Sequence, residues 1–111
     1  MTPRLSRRVA LETRHVVADG GGGESATWVR KGTLWASFRP SSGREGLIGE
    51  QIASRVSHRV RVRGAPIGSP RRPQAAERLR MGTRIFDILA VTEDDDQGAY
   101  FLLWVVEGSL S

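Results

Sequence analysis

The chain has 111 residues, room for one domain with one modest core, and no second domain is expected. It contains no cysteine, which excludes a disulfide framework, a thiol nucleophile and a cysteine-based zinc site. The net charge is +5, and sixteen of the seventeen basic residues are arginine, with Lys31 the exception. Arginine's planar fork suits paired carboxylates and phosphates at interfaces, although a GC-rich genome also favours its codons.

No stretch approaches the ~20 apolar residues of a membrane helix. Residues 1–8 lack the apolar segment of a signal peptide, so synthesis in the cytoplasm without membrane attachment is expected. Thirteen glycines and five prolines imply many turns and therefore a β-rich chain. Residues 55–84 hold nine arginines and one acid, whereas residues 85–111 hold six acids and no base. That asymmetry predicts an electrically bipolar domain that could stack between two partners.

Residues 8–17 alternate, with Val9, Leu11, Thr13 and Val17 on one face and Arg8, Glu12 and Arg14 on the other, as in a half-buried strand. The glycines 20–23 then supply a wide turn. They do not form a phosphate loop, because Lys31-Gly32-Thr33 has the wrong order and lies in a strand-like stretch. Residues 27–39 form a second strand, with Leu34, Ala36 and Phe38 opposite Thr33, Trp35 and Ser37. Pro40 ends it. Ser42 and Glu45 make a capping box, which predicts one short, glycine-weakened helix to about residue 54.

Residues 56–63 alternate most cleanly, with Val56, His58, Val60 and Val62 inward and an arginine ladder, Arg59, Arg61 and Arg63, outward. Like charges on one face require solvent, or acidic or phosphate groups opposite. Residues 64–77 contain three prolines and no periodicity, and predict an irregular loop. Residues 84–92 and 100–106 are near-continuous apolar runs joined by an acidic turn, and predict a hairpin. The second run has no polar face, so it is either covered by a neighbouring subunit or central in a barrel.

No nucleophile, metal or acid–base constellation surrounds His15 or His58, and no enzyme activity or cofactor is expected. The acids at 93–96 lack the spacing of a calcium loop. A DNA-binding β-barrel is the alternative of a different class. The arginine strand, however, carries no interleaved aromatics for base stacking, which leaves non-specific contact with DNA as the nucleic-acid option.

The order of motifs resembles the phage head-tail joining family, the head-closure or stopper proteins of tailed phages and gene transfer agents. The similar segments are Leu5-Ser6-Arg7-Arg8-Val9, the Asp19 to Gly22 turn, Thr27-Trp28, Leu34-Trp35-Ala36, Ser42-Gly43-Arg44-Glu45, Ser57-His58-Arg59 with Arg63, and Gly82-Thr83-Arg84-Ile85-Phe86. The resemblance implies a mainly β fold, a small β-barrel or sandwich with one short α-helix between strands two and three. It further implies a structural protein of the virion neck, assembled in the bacterial cytoplasm as a hexameric ring. That ring would close the DNA channel, with portal and adaptor on the head side and a tail terminator or tail tube on the other. Ser42, Arg44, Glu45 and Glu50 are then candidates for a channel-plugging segment. Arg61, Arg63, Arg71, Arg72, Asp94, Asp95 and Asp96 are candidates for contacts with neck partners. Another neck component, an adaptor or a tail terminator, is the alternative within the same class. The long 64–77 loop and the arginine content favour the gene transfer agent branch.

Overall fold

The computed structural model describes residues 4–41, 55–94 and 97–108. Six antiparallel strands, β1 (Arg7–Ala18), β2 (Glu24–Pro40), β3 (His58–Arg63), β4 (Arg78–Met81), β5 (Arg84–Glu93) and β6 (Tyr100–Gly108), close into a barrel in the order β1-β2-β3-β6-β5-β4. The expected short helix, with Ser42, Arg44, Glu45 and Glu50, lies outside the described residues, as do Asp95 and Asp96.

Alternate residues of every strand fill the interior, as a period of two requires. Val9 and Leu11, Leu34 and Ala36, Val60 and Val62, Leu79, Phe86 and Ile88, and Phe101, Leu103 and Val105 form one buried cluster. The apolar run of β6 is a central strand, paired with β3 on one edge and β5 on the other. Leu103, Trp104 and Val105 are buried within the single chain, so no neighbouring subunit is needed to cover them. Trp104 lies on the outer side of the sheet, where its indole N–H donates to Thr92 Oγ1 at 3.1 Å.

β4 was not anticipated from the sequence. It occupies Arg78–Met81 and pairs with both β1 and β5, so it closes the barrel. The loop at 64–77 is irregular as expected, but it is pinned down. Lys31 is the extra residue of a β-bulge in β2, since Leu11 pairs with Gly32 and Glu12 with Arg30. The bulge re-aims the lysine so that its Nζ donates to both Glu77 carboxylate oxygens (3.0 and 2.8 Å) and to Arg72 O (3.1 Å). Glu77 Oε1 also accepts the Gln74 amide at 2.9 Å.

Beyond the bulge the first hairpin leaves the barrel. Only Ala10–Glu12 of β1 pair with β4, while β1 and β2 stay paired to Ala18 and Glu24. The result is a two-stranded arm, and the molecule measures 53 × 28 × 25 Å. Arg78 clamps the arm at its base. Its Nε donates to Glu12 Oε1 at 2.7 Å, and its guanidinium lies 4.1 Å from the centre of the Trp28 ring.

Candidate interaction surface

The strand directions sort the candidate residues by barrel end. β2 runs out at Pro40 and β3 begins at His58, and these two residues pair. Ser41 N donates to Ser57 O at 3.0 Å and Ser57 N to Val105 O at 2.9 Å, so the chain departs for residues 42–54 and returns at one fixed point. Arg63, at the other end of β3, leads into the 64–77 loop. Gly64 N there donates to Ala99 O at 2.8 Å, beside the turn that carries Asp94. The arginine loop and Asp94 therefore share one end of the barrel, and Ser41 and Ser57, between which the chain leaves and returns, lie at the other.

The expected bipolarity is partly offset in space. Although bases and acids are segregated along the chain, antiparallel pairing of β3 with β6 and of β5 with β6 brings them side by side. Arg61 pairs with Asp94, so two of the candidate partner contacts engage each other. Arg84 binds Glu107 through two hydrogen bonds, at 2.8 and 2.9 Å. Those bonds hold the Glu107 carboxyl below its ordinary range and raise Arg84 above its own, against the opposing effect of desolvation.

Arg72 is also engaged within the chain: its Nη1 donates to Ala65 O at 2.7 Å and its guanidinium lies 4.9 Å from the Phe101 ring centre. Arg63 is exposed, 5.7 Å from the Tyr100 ring centre. Arg71 is exposed as well. Arg63 and Arg71 line a groove of about 590 Å³ whose apolar wall is formed by Leu5, Leu34, Trp35 and Ala65. Trp35 is 56% exposed, unusual for so large an apolar side chain. On the outer sheet Arg39 stands directly across from Arg59, in a strip shared with Arg61. The loop-side end thus offers two distinct features: a cationic, aromatic groove and the projecting arm.

His58 is half-buried, its ring edge-on to Phe86 at 5.5 Å and to Phe38 at 6.4 Å. Ser57 Oγ lies 2.9 Å from His58 Nδ1 but already accepts the Glu107 amide at 2.7 Å, so this pair closes the barrel end. His15 is exposed on the arm. Sequence reasoning assigned no role to Lys31, Glu77 or Arg78. The one available signal was that Lys31 is the sole lysine in an arginine-rich chain.

A family model described as phage head completion protein matches residues 1–108. Among solved structures, a chain of the virion of a native gene transfer agent particle is 38% identical, with a TM-score of 0.74 over 98% of this chain and 100% of that one. The solution structure of protein SF1141 from Shigella flexneri 2a shares the fold at 22% identity, with a TM-score of 0.71 over 97% and 96% of the two chains. No curated protein matches the sequence.

Proposed function

Because this chain belongs to the phage head completion protein family, we propose that it is a structural subunit of a virion neck, and of a gene transfer agent particle in particular. In this role six copies form a ring below the portal and adaptor, close the DNA channel and present a platform to the tail. The observation that carries the proposal is the end-to-end match, at 38% identity, to a chain of a gene transfer agent virion. The proposed role is structural and non-enzymatic.

The segment with Ser42, Arg44, Glu45 and Glu50 is the proposed channel plug. Its support is topological: it departs and returns at one pinned point of the barrel end, through Ser41 and Ser57, which suits a loop reaching into a pore. Asp95 and Asp96, outside the described residues, remain proposed partner contacts, as do the exposed Arg63 and Arg71. Arg61, Arg72 and Asp94 already make bonds within the chain, and would enter such contacts through their remaining donors and lone pairs. This internal neutralisation also disfavours the free DNA-binding barrel.

Deleting the gene in cells that make the particle tests the proposal. The expected result is DNA-packaged heads that leak their DNA and carry no tails, with rescue by the wild-type chain. Normal tailed, full particles in its absence would remove the chain from the neck.

A further inference from the structure

The arm is chemically incomplete on its own. Every residue from 14 to 27 is exposed, including Val16 and Val17 at 46% and 48%, and Val29 at its root is exposed to 46%. A two-stranded ribbon wet on both faces is marginal in water, and its outer edges present unpaired backbone groups. The arm extends about 20 Å past the bulge, from six residues at ~3.3 Å each. Because Arg78 clamps its base to Glu12 and Trp28, it leaves the barrel in a set direction and does not fold back on its own chain.

The groove beside Trp35 has what the arm lacks. It offers an apolar wall for β-branched side chains, and Arg63 and Arg71 at its rim. The arm tip carries the complementary charge, Asp19 and Glu24, both exposed. Asp19 uses Oδ1 to accept the Gly21 and Gly23 amides at 2.8 and 3.1 Å, which fixes the tip in a tight turn. We propose that the arm of one copy docks in the Trp35 groove of the next copy, with Asp19 and Glu24 against Arg63 and Arg71. Two different patches joined head to tail generate a closed ring when the rotation closes. This inference rests on the ring described above and names its lateral contact.

The chain has no native cysteine, so cross-links can be placed at will. Ser25→Cys lies on the exposed arm, and Ala65→Cys lines the groove. A mixture of the two single variants treated with a short bismaleimide should give the mixed dimer in at least tenfold excess over either homodimer. The S25C/A65C double variant should give a ladder that ends in a closed oligomer. In a second arm of the experiment, Arg71→Glu should weaken self-association at least tenfold, and adding Glu24→Arg should restore it. Homodimers in equal yield, or a charge swap without rescue, overturn the docking. The uncrosslinked wild type is weighed in parallel by native mass spectrometry. If it forms a ring while S25C and A65C fail to join, the docking is wrong and the ring stands. If it stays monomeric and unjoined at every concentration, both fall.

Discussion

Lys31 shows how one side chain fixes a long loop. Its ammonium meets a carboxylate that is nearly inaccessible to water, and its removal leaves Glu77 buried with only an amide for company. Breaking such a pair from one side typically costs 3–5 kcal/mol. Because Lys31 keeps 19% exposure, we expect Lys31→Ala to cost about 3 kcal/mol, read as a fall in the urea midpoint at constant m. Gly64 poses a steric problem instead. A Cβ there would lie 2.1 Å from Gly98 O, a backbone atom that cannot swing aside, so Gly64→Ala should cost about 2 kcal/mol or more by parting the ends of β3 and β6.

Glu107 makes a pH-dependent prediction. Its folded pKa is depressed, chiefly by the hydrogen bonds from Arg84, so its contribution to stability is present above the unfolded value and lost as pH falls through the folded one. In Arg84→Gln the Glu107 carboxyl, followed by NMR, should titrate at higher pH than in the wild type, and an unchanged midpoint would deny the pairing. Little of this was legible in advance. The inward valines of β3 follow from alternation alone, whereas the Lys31 pairing depends on a bulge that periodicity does not reveal and on a partner 46 residues away.

At the scale of elements, five strands were visible as periodic or apolar runs, and the sixth was hidden for a physical reason. Arg78-Leu79-Arg80-Met81 is only four residues long, and its two inward apolar residues, Leu79 and the partly buried Met81, alternate with arginines that read as solvated surface. Gly82-Thr83 between β4 and β5 was the missed clue: Met81 pairs with Arg84, and Gly82 has φ +64°, as a two-residue hairpin turn requires. The arm was legible as strand but not as a projection, since alternation along 8–17 does not say where the barrel ends. None of its residues from 15 to 27 belongs to the core cluster. Replacing 15–27 with an Asn-Gly turn, which joins the paired Arg14 and Trp28, should therefore change stability by no more than about 1 kcal/mol. An unfolded product would show instead that the arm is integral to the barrel.

At the scale of the whole molecule, chain order overstates the separation of charge. Nine arginines followed by six acids suggested two poles, yet antiparallel pairing zips those halves together, as Arg61 with Asp94 and Arg84 with Glu107 show. A barrel that neutralises part of its own arginine surface should bind duplex DNA weakly, with affinity falling steeply as salt rises, in proportion to the few phosphates contacted. Tight, sequence-selective binding at physiological salt, measured by fluorescence anisotropy, would reverse that expectation. The most direct test of the ring assignment is a cryo-electron microscopy reconstruction of the particle neck resolved well enough to trace this chain. Six copies should form a closed ring between the portal and the tail, with the 42–54 segments turned toward the channel. A chain missing from the neck, or found in the capsid lattice or along the tail tube, would contradict the account.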